Sequence, residues 1–241
     1  HGDECDPGLK SCQMAALSFV EQNAQKRHLQ CLPKLSSRVK SLGFTFGDLS
    51  KVLQYVREEV PVIIHLRTAN LIKLSKDTHY RNQFETGRSG GTYCLRSRQN
   101  WEGNMFGTAY KNSEPFDRPK YGCLRLLGHP TGVPHAVQSY GDCFLTLAPN
   151  VRARLTWFHR DTSGSFGSDY NNDNDGDSVL GTLEYFAHVL QSFTDYELER
   201  LLEYKKWGWS SHEPGDLEHY KEVQIHGPVL LADDVVALSV A

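Results

Sequence analysis

The sequence has no long apolar run. None of its stretches approaches the ~20 consecutive apolar residues of a membrane-spanning helix, so an integral membrane protein of that kind is not expected. An excess of one charge is lacking too. The 26 Lys and Arg residues stand against 29 Asp and Glu, which argues against a nucleic-acid binder relying on overall basic charge. Cysteine is sparse: Cys5, Cys12, Cys31, Cys94, Cys123 and Cys143 are spread over 241 residues with no CxxC pair. Neither a disulfide-stapled scaffold nor a cysteine zinc site is expected, and Cys123 and Cys143, in strand-like runs, read as reduced, buried apolar residues. The GxxxxGK[ST], GxGxxG and HExxH patterns are all missing, which removes the P-loop, dinucleotide-fold and zincin readings. What remains is 39% hydrophobic and 11% aromatic, enough for a folded core.

Helical signals come first. Leu9 to Leu32 carries Met14, Leu17 and Val20 at helical spacing, and Pro33 is expected to stop the helix. Asp48 is the expected N-cap of a second helix through Leu53 and Val56. The period then changes. Val60 to Arg67 reads as a buried strand, and Asn70 to Asp77 as a short amphipathic helix. Further strands are expected over Tyr80–Glu85, Tyr121–Leu127, Gly141–Leu147 and Arg152–Phe158, with a short helix around Trp101. Two late helices follow, Leu183–Phe193 and one capped by Thr194 with Glu197 completing a capping box. A last strand pair spans Glu222–His226 and Val235–Val240. Helices first, then mostly strands with helices inserted, predict an α+β fold rather than a βαβ alternation.

Three constellations carry chemistry. His65 and Arg67 lie two apart on a strand and project together, an imidazole and a guanidinium suited to a phosphate or ribose hydroxyl. A satisfied histidine beside a solvated arginine explains them equally well. The run Tyr80-Arg81-Asn82-Gln83-Phe84-Glu85-Thr86-Gly87-Arg88-Ser89-Gly90-Gly91 leads polar and aromatic groups into a glycine turn that would let a ligand approach backbone closely. The plainer reading is a hairpin turn. In the third, alternation puts Tyr220, Glu222, Gln224 and His226 on one strand face and Val223 and Ile225 on the other. The solvated side of an edge strand would look the same. The acidic run from Ser168 to Asp177 fits an EF-hand only with Gly176 at the sixth position, and then Thr182 stands where Glu is needed. It reads as a solvated loop. His129 and His135 have no clear third ligand, so no metal is expected.

Several runs together, Tyr80 to Gly87, Trp101-Glu102, Phe106-Gly107 with Tyr110, Arg118 to Gly122, Tyr140-Gly141 and Glu222 to Pro228, resemble the bacterial DUF3626 family. That family resembles the mono-ADP-ribosyltransferase fold, and effector transferases of the CteC type, which modify ubiquitin on threonine, look similar. The resemblance covers roughly residues 60 to 240. It implies a split β-sheet sandwich over residues 59–241, with residues 1–58 as an N-terminal helical region.

The same resemblance implies an NAD-dependent transferase, a secreted bacterial effector and toxin acting in a host cytoplasm. The protein would be monomeric, with no metal, nucleic acid or membrane partner and with ubiquitin as an expected protein substrate. Glu222 takes the position of the catalytic glutamate, with Tyr220, Gln224 and His226 orienting it or the acceptor. Arg67 would hold the pyrophosphate and His65 a ribose hydroxyl. Tyr80, Gln83, Glu85, Thr86, Gly87, Ser89 and Tyr140 would complete the NAD site. The Ser-Thr-Ser strand of arginine-modifying toxins is not visible, and Tyr140-Gly141-Asp142 or the turn from Thr86 to Ser89 stands in its place. Arginine-specific transferases carry Glu or Gln two residues before the catalytic Glu. Tyr220 occupies that position here, which favours a hydroxyl acceptor. The alternatives are an NAD glycohydrolase using the same residues and a non-enzymatic protein-binding module.

Overall fold

The computed structural model describes residues 8–88, 94–162, 179–208 and 220–240. Seven strands make the frame: β1 (Val62–Leu66), β2 (Lys120–Leu124), β3 (Cys143–Leu147), β4 (Leu155–Trp157), β5 (Gly181–Thr182), β6 (Glu222–Ile225) and β7 (Val235–Val240). They lie in the order β5-β4-β6-β2-β1-β3-β7, and every neighbouring pair is antiparallel. The protein is therefore α+β, as its element order predicts. Among the described residues the strands form one continuous sheet, where the resemblance implies two stacked ones. The expected last strand pair is also corrected. β6 lies between β4 and β2 inside the sheet, whereas β7 is an edge strand against β3, so the two never meet.

Eight α-helices accompany the sheet among the described residues: α1 (Ser11–Ser41), α2 (Phe46–Glu58), α3 (Leu71–Leu74), α4 (Gln83–Thr86), α5 (Leu95–Phe106), α6 (Pro134–Tyr140), α7 (Ala187–Gln191) and α8 (Asp195–Trp207). Pro33 does not stop α1. The carbonyl it deprives of a partner belongs to Leu29, which is exposed, and the residues beyond it, Leu35 and Val39, are fully buried in the main core. α2 is capped three residues earlier than predicted. Thr45 is the N-cap, its Oγ1 accepting from Asp48 N at 3.1 Å, while Asp48 Oδ2 accepts from Thr45 N at 2.9 Å. The capping box of Thr194 and Glu197 at the head of α8 forms as read from the sequence.

Period-2 alternation divides the sheet cleanly. Val62, Ile64, Leu66, Leu145, Trp157, Val223 and Ile225 point to one face and build the main core with α2, α7, α8 and the second half of α1. On the other face Ile63, Cys123 and Phe144 meet Val133 and Ala136 from α6. The first half of α1 reaches round to that side, where Ala16 and Val20 pack with Met105, Phe106 and Tyr110. Between these two smaller clusters the second face is left polar and concave. No helix among the described residues is long and apolar enough to cross a membrane.

Candidate active site

The floor of the concavity is β6. Its position inside the sheet removes the solvated-edge reading: Tyr220, Glu222, Gln224 and His226 are all buried. Burying four polar side chains on one strand costs stability unless each is bonded. Tyr220 donates its hydroxyl to Gly122 O at 3.0 Å. The other three join one chain of hydrogen bonds whose proton positions follow from counting donors. Gln224 Nε2 donates to Glu222 Oε1 at 2.9 Å, which leaves Gln224 Oε1 to accept from Thr156 Oγ1 at 2.9 Å. The Thr156 proton is then used, so the 3.1 Å contact between Thr156 Oγ1 and His226 Nε2 requires the imidazole to donate. His226 Nδ1 is left bare and accepts from Tyr110 O–H at 2.7 Å. Burial, then the charges of Arg154 and Lys120, hold His226 neutral, its pKa lowered to about 3. The chain ends at Glu222, whose Oε1 also accepts from Thr162 Oγ1.

Burial dominates the chemistry of Glu222. It lifts the carboxyl pKa to about 8, the negative charge of Asp161 adds to the rise, and the Thr162 and Gln224 hydrogen bonds oppose it. Asp161 and Thr162 arrive through the pairing of β4 with β6. Trp157 opposes Val223 and Phe158 N donates to Glu222 O at 2.9 Å, so the next residues pass over the Glu222 side chain.

A cleft of about 1000 Å³ opens above this floor. Its walls are aromatic: Tyr80, Trp101, Tyr121, Tyr140 and Tyr220 line it. The Tyr140 and Tyr220 ring centroids lie 5.2 Å apart, and Tyr140 donates its hydroxyl to Asp161 Oδ2 at 2.9 Å. Burial raises the Tyr80 phenol to about 12 and keeps it neutral. At the rim, Arg67, Lys73 and Arg88 are exposed, and their side chains have no hydrogen bond or ion pair among the described residues.

The turn after Tyr80 is not a strand and is mostly not a ligand loop. Asn82 caps α4, its Oδ1 accepting from Phe84 N and Glu85 N, while its Nδ2 donates to Pro115 O and Arg118 O. Glu85 is divided between Asn82 N and His79 Nε2, each within 2.9 Å. Thr86 Oγ1 lies 3.0 Å from Asn82 O, and Gly87 ends α4 in the left-handed conformation at φ 64°. Asn82, Glu85 and Thr86 shape the cleft wall rather than offer free groups. Gln83 is the exception, since its side-chain oxygen is buried against the cleft with no partner among the described residues. Ser89 lies outside the described residues, as does the acidic run from Ser168 to Asp177.

His65 also needs correction. It borders the cleft, but its Nδ1 lies 2.9 Å from Gly141 O and its Nε2 accepts from Val133 N at 3.0 Å, so backbone consumes both nitrogens. Gly132 makes this possible: a Cβ there would stand 2.5 Å from His65 Nε2, and its φ of 89° disfavours other residues. The cleft therefore gathers Glu222, Tyr220, His65, Arg67, Tyr80, Gln83, Glu85, Thr86 and Tyr140, leaves Gln224 and His226 beneath the floor, and leaves Gly87 off its lining. Sequence reasoning missed Asp161, Thr162, Thr156 and Arg98. It also gave no site role to Trp101, Tyr110 and Tyr121, although all three fall in the family-resembling runs.

One antiparallel sheet, helix-covered on one face and carrying on the other a ligand-sized cleft over a buried carboxyl, defines the class of protein. The chain belongs to the DUF3626 family, described as a protein of unknown function, whose model matches residues 66–241. No curated protein matches it.

Proposed function

We propose that the cleft binds NAD and that the protein is a mono-ADP-ribosyltransferase acting on a hydroxyl acceptor, in an ADP-ribosyltransferase-like variant of the α+β fold. The observation that carries this reading is a single buried carboxyl, Glu222, at the floor of an aromatic-walled cleft whose rim holds cations with no partner among the described residues. A dinucleotide with a cationic ring and a pyrophosphate matches that distribution: aromatic faces for the cation, guanidinium and ammonium groups for the phosphates. The unsatisfied oxygen of Gln83 suits an amide or amine donor on such a ligand.

Bound NAD supplies a ribose–nicotinamide bond whose cleavage places positive charge on the ribose. Glu222 faces that charge: burial favours its protonated form at neutral pH, and the positive charge developing beside it draws the carboxyl toward the carboxylate that stabilises it. Thr162 and Gln224 fix its oxygen, and the chain through Thr156 and His226 to Tyr110 fixes Gln224. Arg67 and Lys73 hold the anionic portion at the rim. Tyr220, neutral and bonded to Gly122, offers an incoming acceptor no carboxylate, consistent with a hydroxyl rather than a guanidinium.

Intact-mass spectrometry of ubiquitin after incubation with NAD and the protein tests the reading. One added ADP-ribose is the expected result. Nicotinamide release with no labelling of any offered protein favours the glycohydrolase, and absence of NAD binding by calorimetry favours the binding module.

A further inference from the structure

Gln83 holds an acceptor with nothing to accept. Its Oε1 is buried against the cleft and has no hydrogen-bond partner among the described residues. A buried carbonyl oxygen without a donor costs stability, and a ligand N–H recovers that cost. Two other acceptors of the same wall are engaged. Glu85 is held by His79 and by Asn82 N, and Asp77 Oδ1 is bound by Arg81 at 2.6 Å. NAD offers this oxygen two NH2 groups, the nicotinamide amide and the adenine amine.

Strand register decides between them. Glu222 faces Cys123 across the pairing of β6 with β2. The turn that carries Gln83 is tied further along: Asn82 Nδ2 donates to Arg118 O at 3.1 Å, and Tyr80 N donates to Val229 O at 2.8 Å. From 118 to 123 is roughly 15 Å at about 3.3 Å per residue. Val229 likewise lies past the C-terminal end of β6, whereas Glu222 opens that strand. Arg67 is displaced toward the same end as the turn, because β1 runs antiparallel to β2 with Ile63 opposite Cys123. Tyr140 and Tyr220 stay with Glu222: their rings meet at 5.2 Å, and Tyr140 bonds Asp161, the neighbour of the Thr162 that holds Glu222.

The nicotinamide amide lies one ring away from the reacting ribose carbon, whereas the adenine amine lies beyond both phosphates. With the ribose carbon at Glu222 and the phosphates at Arg67, the group that reaches the turn is adenine. We infer that Gln83 selects the base of the dinucleotide, its Oε1 accepting a hydrogen bond from the adenine amine while Tyr80 supplies an aromatic wall for the ring. The inference rests on the NAD-transferase reading and adds to it the residue that sets base specificity.

Two dinucleotide analogues and one variant test it by calorimetry. Nicotinamide hypoxanthine dinucleotide carries a carbonyl oxygen where adenine carries its amine, so two carbonyl oxygens would face one another at Gln83. The wild type is expected to bind it at least about tenfold more weakly than NAD. Gln83→Met keeps nearly the same shape and has no acceptor. It should bind NAD about tenfold more weakly, and its preference for NAD over the hypoxanthine analogue should shrink to within about threefold. Nicotinic acid adenine dinucleotide keeps the amine and changes only the nicotinamide end. The ratio of its affinity to that of NAD should be the same in Gln83→Met as in the wild type, within about threefold. A merely structural role for Gln83 would weaken all three dinucleotides alike.

Equal affinity of the wild type for NAD and the hypoxanthine analogue overturns the assignment, and this arm needs no substitution to fold. An undiminished preference for NAD in a folded Gln83→Met overturns it too. So does a variant that instead loses the distinction between NAD and the nicotinic acid analogue, which would move Gln83 to the nicotinamide end. A wild-type protein that binds none of the three dinucleotides overturns the underlying reading, and the two failures are thereby distinguished.

Discussion

Two polar segments look alike in the sequence and do opposite things in the fold. The run from Tyr220 to His226 becomes the interior strand β6 and the residues that flank it. Its polar groups lie in a directed chain that terminates on one carboxyl at the cleft floor. The run from Asn82 to Gly87 becomes a capped single turn whose polar side chains, Gln83 apart, are spent on the backbone of α4 and on residues 115–118. Beneath that turn Arg118 stacks on Phe84 at 4.5 Å and pairs with the buried Glu102. The lesson concerns accounting for polar groups: a polar residue near a cleft becomes a functional candidate only after the fold's own demands on it have been subtracted.

The contrast breaks most visibly at Asn82. Asn82→Ala removes two cap bonds and two carbonyl contacts, and a loss of about 2–3 kcal/mol in urea unfolding is expected. NAD affinity of the folded protein should change less than about threefold. A stable variant with lost binding would make Asn82 a ligand group after all.

A pH series sharpens the other half. The Glu222 carboxyl has its folded pKa raised from 4.5 to about 8, so the native state holds that proton more tightly than the unfolded chain. Its favourable contribution is complete below about 4.5 and is lost as pH rises through about 8. Unfolding measured from pH 5 to 9 should therefore show the wild type falling relative to Glu222→Gln across that window. Parallel curves would show that the carboxyl titrates normally.

The smallest effect on folding belongs to the rim. Arg67→Ala should leave the melting temperature within about a degree, because its guanidinium has no partner to lose among the described residues. It should weaken NAD binding about tenfold in calorimetry, the scale of one charge-assisted contact. Unchanged affinity would remove Arg67 from the site.

The face shared by Glu222, Gln224 and His226 was legible from alternation alone. Whether that face was covered was not, because period-2 patterning says which residues lie together and nothing about what lies over them. The glycine turn misled for a related reason. Asn82 followed by Glu85 is a capping signature, but the turn it starts lasts only one helical repeat, too short for hydrophobic periodicity to register. Pro33 misled because the burial of Leu35 and Val39 outweighs one lost hydrogen bond. Asp161 and Thr162 carry no local signal. They reach Glu222 only through the pairing of β4 with β6, about sixty residues apart in sequence, which nothing in either segment announces.

The central claim is that Glu222 performs the chemistry while the rest of its strand positions it. Glu222→Gln tests this directly, since glutamine keeps the shape and the capacity to bond Thr162 but never carries charge. The measurement is ADP-ribose transfer to ubiquitin by intact mass, alongside calorimetric NAD binding on the same sample. The account predicts a folded variant that binds NAD and transfers at least about 100-fold more slowly than the wild type. Labelling of ubiquitin by Glu222→Gln at the wild-type rate would contradict it.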